Sequence, residues 1–178
     1  MTGTGPGEHD AGPTGGTGTG QGRPVVKRTA RAILLDGDDL VLIKRTKPHR
    51  APYWITPGGG VEPGDDTVVD ALRREVDEEL GATVTHVVPA FVDTVPHTTE
   101  DGRHGVKVQH FFVCRLRAMD PARRHGPEVE EPNGEYDIVR VPFSPEGIAS
   151  VEVVPPSLRD YLSANVEGVR ALLAADLA

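Results

Sequence analysis

Between Gly58 and Ala82 the chain reads GGGVEPGDDTVVDALRREVDEELGA, and this stretch restricts the fold more than any other. Asp65 to Leu80 carries helical spacing: Val69, Leu72, Val76 and Leu80 recur at intervals of three and four and form one apolar stripe. Asp65 or Asp66 can cap the start, and Gly81 stands where a left-handed residue closes a helix. At about 100° per residue, Glu75, Glu78 and Glu79 fall together beside the stripe while Asp77 points away. This arrangement is poor for helix stability. Glu75 and Glu79 are a like-charged pair at i,i+4, and Glu78 and Glu79 occupy the last turn, where the helix dipole disfavours negative charge by about 0.3–1 kcal/mol per group. Only Arg74 offers relief, with Asp70 and Glu78 in reach. The helix is arranged for something positive that the chain itself does not supply, and a solvated acidic face is the alternative.

The flanking texture is that of strands. Val25–Leu35 and Asp39–Arg45 alternate around the turn signal Asp36-Gly37-Asp38 and predict an antiparallel hairpin. Leu40 and Leu42 fall on one side, Val41 and Ile43 on the other. A short extended piece at Tyr53–Thr56 leads into Pro57-Gly58-Gly59-Gly60. Strands are predicted around Val84–Val95 and Val106–Arg117, turning through Asp101-Gly102. Pro89 and Pro96 call for bulges or a sheet edge in the first of them. A polar loop, Asp120–Gly134, precedes a strand at Glu135–Val141, and the chain reads as helical from about Ser157 onward. Strands, a helix, more strands and a last helix predict a mixed sheet with helices on both faces.

Residues 1–24 are nearly all Gly, Thr, Pro and charged or polar residues, a composition that predicts a disordered tail ahead of one domain at 25–178. The 178 residues hold 19 Lys plus Arg against 27 Asp plus Glu, for a net charge of −8. That balance argues against a protein that wraps a nucleic acid polymer through its phosphates. Cys114 is the single cysteine and forms no internal disulfide, and no apolar run is long enough to span a bilayer. The expectation is a soluble cytoplasmic protein without membrane contact.

Clustered oxygen ligands, with no Cys or paired His nearby, suit Mg²⁺ or Mn²⁺ better than zinc. A glycine-rich turn ahead of the helix allows close approach to a ligand, and the combination points to metal-assisted phosphoryl chemistry. Lys44, Arg45, Lys47, His49 and Arg50 form a basic run in which Arg45 or Arg50 could hold a substrate phosphate; an ordinary solvated turn is the other reading. Trp54 and Tyr53 could stack on a base or pack in the core. Phe111 and Phe112 point to opposite faces of their strand.

The Gly58–Ala82 stretch resembles the Nudix box of the MutT-like hydrolases, G-x5-E-x7-R-E-U-x-E-E-x-G-U, where U is aliphatic. Gly60, Asp66, Arg74, Glu75, Val76, Glu78, Glu79 and Gly81 fill the fixed places, with Asp66 replacing glutamate and Ala82 at the last aliphatic place. An alternative alignment uses Pro57-Gly58-Gly59 and Glu62. The resemblance implies an α/β/α sandwich with a mixed β-sheet, the Nudix fold. It implies Glu75, Glu78 and Glu79 as metal ligands with the Gly58 carbonyl, Arg74 orienting a glutamate, and Mg²⁺ or Mn²⁺ as cofactor. It also implies a later glutamate as further ligand or general base, for which Glu130 is preferred over Glu131. The implied reaction is hydrolysis of a diphosphate linkage in a small nucleotide-type substrate; a silent domain that binds a nucleotide as a sensor is the alternative. Relatives often pair through the sheet or N-terminal strands, so a homodimer is an expectation.

Overall fold

The computed structural model describes residues 22–174. The tail expected at residues 1–24 therefore lies almost entirely outside the described residues. In chain order the strands are β1 (Val25–Asp36), β2 (Asp39–Thr46), β3 (Tyr53–Ile55), β4 (Gly58–Gly60), β5 (Ala82–Thr98), β6 (His104–Met119) and β7 (Glu135–Pro142). The helices are α1 (Val68–Leu80), α2 (Pro127–Glu130), α3 (Pro145–Ala149), α4 (Pro156–Ala164) and α5 (Val166–Leu172), with a 3-10 turn at Pro121–Arg123.

All seven strands join one mixed sheet in the order β3-β2-β1-β6-β5, with β4 added to β1 and β7 to β2. The hairpin forms as its alternation demands, but β1 and β2 pair directly only from Leu34 to Asp36 against Val41 to Asp39. They then splay apart. Beyond that point β1 pairs with β4 on this side, Thr29 to Arg31 against Gly60 to Gly58, and β2 pairs with β3 from Ile43 to Arg45, while β7 runs along the other edge of β2 from Asp39 to Thr46. The divergence opens the cleft that holds the site. β1 also runs parallel to β6 from Val25 to Leu35.

The alternation along β2 sorts the core into two layers. Leu40 and Leu42 join Ile33, Phe111, Phe143, Ile148, Leu158 and Val169 beneath α3–α5. Val41 and Ile43 join Ala32, Leu34, Phe112, Cys114 and the stripe of α1 on the other face. Leu72, Val76 and Leu80 are fully buried, each contributing about 1.5–3 kcal/mol through removal of apolar surface from water. Val69 packs only partly against this layer. Helices thus cover both faces, the α/β/α arrangement expected.

Several boundaries differ from the sequence reading. α1 begins at Val68 and its cap is Thr67, whose Oγ1 accepts the Asp70 N–H at 3.1 Å. Asp65 cannot cap because its carboxylate is engaged elsewhere: Oδ2 accepts the Glu62 N–H at 2.8 Å and also faces Arg74. Gly81 closes the helix at φ 60° as predicted. α3 lies in a stretch without marked periodicity and is held by Ser144, whose Oγ accepts the Gly147 N–H at 3.0 Å. The final helical region is two helices broken at Asn165 rather than one. β5 is an edge strand with bulges at Thr83/Val84, Thr85/Val88 and Pro89/Phe91. Among the described residues no helix is long and apolar enough to cross a membrane.

Candidate active site

The glycine run is strand β4, not a turn, and its close approaches are to protein. Gly58 has φ 132°, and a Cβ there would strike the Ala30 carbonyl of β1. A Cβ at Gly59 would fall on the Glu75 carboxylate. Two bare positions therefore let β4 lie between β1 and α1, bringing backbone against the glutamates.

Glu79 is 4 % exposed, and its Oε2 accepts the Gly58 N–H at 2.7 Å. Burial pushes its carboxyl up to about 7, against the pull of the Gly58 N–H and of the Arg31 charge. Glu75 is also buried, and desolvation raises its carboxyl despite the Arg74 guanidinium beside it. Two buried carboxylates thus stand in the last turns of a helix that has no basic residue in its final turn.

Arg74 organises the outer side of this cluster. Its Nε and Nη2 donate to both oxygens of Asp65 at 3.0 and 2.9 Å, and Nη2 also donates to the Gly60 carbonyl at 2.8 Å. Its Nη1 donates to Glu75 at 3.0 Å and lies 3.4 Å from Glu78. The hydrogen bond to Asp65 is the largest cause raising the Arg74 pKa, and the same bond lowers that of Asp65. The partner of Arg74 is therefore Asp65. Asp66, which strict spacing puts in the acidic place of the box, is exposed, and Glu62 lies 3.8 Å from the guanidinium.

The cleft between the splayed strands contains a pocket of about 270 Å³. Glu79 and Glu128 supply its negative charge; Lys27, Arg31, Arg45 and Lys107 supply its positive charge. Glu75 and Glu78 do not line it; they sit behind, with Arg74. Arg45 stacks over the Tyr136 ring at 3.6 Å and donates from Nη2 to the Asn133 carbonyl at 2.7 Å. Among the described residues its buried Nε has no partner, and neither does the Thr29 hydroxyl on the same wall. Arg50, the other candidate from the basic run, is exposed over Tyr53 and does not reach the pocket.

Arg31 and Lys107 were not indicated by sequence. Arg31 donates to the carbonyls of Gly58 and Thr56, so the Gly58 oxygen expected to face a metal is engaged by a guanidinium. Desolvation lowers the pKa of Arg31 while Glu79, Glu75 and Glu128 oppose the shift. Lys107 is lowered first by burial and then by Arg31 and Lys27. Their β1 and β6 positions show alternation but no motif.

Glu130 is exposed at the end of α2, and so is Glu131; Glu128 is the glutamate of this loop that lines the pocket. Two residues along a helical turn rotate a side chain by about 200°, so Glu128 and Glu130 face opposite ways. Cys114 is fully buried in the α1-side core, which pushes its thiol up to about 12.

Glu75, Glu78 and Glu79 suit a hard divalent cation by donor type. Among the described residues Glu79 has no salt-bridged side-chain cation, and the nearby Arg31 charge offsets its burial only in part, a deficit that a bound cation would remove. As they stand, Glu75 and Glu78 are turned to Arg74 and Glu79 to Gly58, and among the described residues no three acidic, His or Cys side chains converge at metal-holding distance. A cation would have to draw these carboxylates from their present partners.

A family model described as NUDIX domain matches residues 26–156. The nucleoside triphosphatase NudI of Escherichia coli O1:K1 / APEC is 37% identical over 84 residues, covering 43% of this chain and 59% of that protein. The match thus spans less than two thirds of the curated relative's length. A NUDIX hydrolase from Nitrosomonas europaea superposes with a TM-score of 0.56 at 21% identity, covering 80% of this chain and 89% of that one, a likeness of fold. The solution structure of the E. coli ORF135 protein gives a TM-score of 0.50 at 25% identity over 84% and 94% of the two chains. With Gly60 on β4, Arg74, Glu75, Val76, Glu78 and Glu79 on α1, and the family model covering most of the chain, the protein belongs to the Nudix family.

Proposed function

We propose that this protein is a divalent-metal-dependent pyrophosphohydrolase that cleaves a diphosphate linkage in a nucleotide, with Mg²⁺ or Mn²⁺ as the natural ion. The observation that carries the reading is the mixed lining of the pocket: the buried carboxylate of Glu79, with Glu128, faces the same space as the cations Lys27, Arg31, Arg45 and Lys107. A polyanionic substrate satisfies the cationic wall, and a metal ion satisfies the carboxylates. The name of the NudI relative, a nucleoside triphosphatase, supports the same substrate class.

Glu75, Glu78 and Glu79 would hold the ion. When bound, a divalent cation lowers the pKa of a water molecule and neutralises phosphate oxygens. Arg74, held by Asp65 and the Gly60 carbonyl, positions Glu75 and Glu78. Arg45, with its unpartnered Nε, and the Thr29 hydroxyl would donate to phosphate oxygens, which ends their burial without partners. Arg31 and Lys107 add charge where the bridging oxygen leaves with its electron pair. Glu128 is our candidate to take the proton of the attacking water on a carboxylate oxygen, in place of Glu130.

The test is a panel of nucleoside triphosphates and nucleoside diphosphate derivatives with Mg²⁺, scored by product identity. Mg²⁺-dependent release of a nucleotide product is expected, with a loss of at least a hundredfold in Arg45→Ala and Glu79→Gln. Tight binding of a panel member with no turnover of any would overturn the enzymatic reading in favour of a sensor.

A further inference from the structure

A second cavity, of about 310 Å³, lies beside the carboxylate pocket and shares Arg31, Ile55 and Lys107 with it. Such a volume falls within the range of small-molecule sites. Its remaining walls are largely apolar, built from Val95, Phe111, Val154 and Pro155, with Gln109 as an uncharged polar group among them. A ligand with its anionic part among the cations of the first pocket would extend its uncharged part past Arg31 and Lys107 into this space.

Val95, Lys107, Gln109 and Phe111 of this lining belong to a ladder of cross-strand pairs between β5 and β6: Phe91 with Phe111, Asp93 with Gln109, Val95 with Lys107. Phe91 and Phe111 stack at 4.5 Å. Polarity along the ladder therefore runs from aromatic, through an amide, to a cation beside the phosphate pocket. Gln109 is 7 % exposed, and its amide nitrogen donates to Asp93 Oδ2 at 3.2 Å. Ser157 Oγ donates to the same oxygen at 3.0 Å. An ionised carboxylate only accepts, so Asp93 fixes which end of the amide faces it. The Gln109 carbonyl oxygen is left as an acceptor that receives no hydrogen bond among the described residues.

We propose that this cavity holds the heterocycle of the nucleotide and that Gln109, positioned by Asp93, selects bases carrying an exocyclic amino group over their oxo counterparts. An amino group donates to the fixed carbonyl oxygen; an oxo group meets it lone pair to lone pair. A site built around one hydrogen-bond polarity discriminates strongly because the mismatched group is left buried and unpaired. This inference rests on the nucleotide reading above, deepens it to a substrate class, and makes Asp93 a positioning residue.

The experiment pairs amino and oxo bases: cytidine with uridine, and adenosine with inosine. Binding of the 5′-monophosphates is measured by calorimetry, and kcat/KM of the triphosphates with Mg²⁺. In the wild-type protein the amino member of at least one pair is expected to bind about tenfold tighter, with the same preference in kcat/KM. Gln109→Leu should bring the ratio within twofold. Asp93→Asn keeps the shape but can itself donate, so the amide is free to turn and the preference should vanish with Gln109 intact. A ratio of one in the wild type, a preference that survives Gln109→Leu, or no binding of any monophosphate overturns the proposal. Triphosphate hydrolysis without discrimination would sink this inference and leave the enzymatic reading standing. Amino-selective monophosphate binding without turnover would do the reverse.

Discussion

Replacing Glu79 with Gln should stabilise the metal-free protein, and by an amount that depends on pH. Glu79 is 4 % exposed, and burial lifts its carboxyl from an ordinary 4.5 to about 7. The folded state therefore holds the proton more tightly than the unfolded chain. Below 4.5 both states are protonated and the group costs nothing. As the pH rises through the window from 4.5 to 7 the unfolded chain ionises first, and folding stability falls; above 7 the loss is constant. At about 1.36 kcal/mol per pKa unit the full loss is about 3 kcal/mol, of which about 1 kcal/mol is present at pH 5. A glutamine keeps an oxygen for the Gly58 N–H and does not titrate. Urea unfolding in EDTA should therefore show the Glu79→Gln protein more stable than wild type by about 1 kcal/mol at pH 5 and about 3 kcal/mol at pH 8. Saturating Mg²⁺ at pH 8 should narrow the gap by stabilising the wild type alone. A stability difference that does not change with pH, or a variant less stable than wild type at pH 8, would refute the argument that desolvation of this carboxylate is held in reserve for a cation.

Three further outcomes are expected. Thr67→Ala should lower stability by about 1 kcal/mol in urea melts while Asp66→Ala leaves it nearly unchanged, because Thr67 supplies the cap of α1; equal effects would return the cap to the aspartates. Gly59→Ala should displace the Glu75 carboxylate and cut turnover more than it shifts the midpoint of thermal unfolding, since only a side chain is displaced; wild-type turnover would mean that the Glu75 position is irrelevant. The Cys114 thiol, pushed up to about 12 by burial, should not react with Ellman's reagent at pH 8 in the native protein and should react fully in denaturant. Rapid native labelling would show that the core beneath α1 opens.

The elements that carry strong periodicity were legible in the chain before folding. The α1 stripe, the hairpin alternation and the crowding of Glu75, Glu78 and Glu79 each follow from local spacing. The start of α1 was not, because Asp65, Asp66 and Thr67 are three successive capping side chains, and what removes Asp65 from the choice is its tertiary bond to Arg74. Arg31 and Lys107 come from strands about 75 residues apart in sequence, and alternation gives the face of a strand but not what the splay of β1 from β2 will expose. Glu128 and Glu130 stand in one short helical turn without an apolar stripe, so charge alone could not rank them. Arg45, which lines the pocket, and Arg50, exposed one turn later, carried the same signal in the basic run, and spacing could not separate them.

One contact at the edge of the cleft has a practical side. The backbone of Trp54 on β3 is clasped by the segment before α4: its N–H donates to the Glu152 carbonyl at 2.8 Å and its carbonyl accepts the Val154 N–H at 2.9 Å. Its chain neighbour Ile55 and its bonding partner Val154 both line the second cavity. Because the chain has a single tryptophan, its emission is an unlabelled optical reporter one residue along the chain from the Ile55 lining of that cavity, and binding there can be followed in real time without altering a residue.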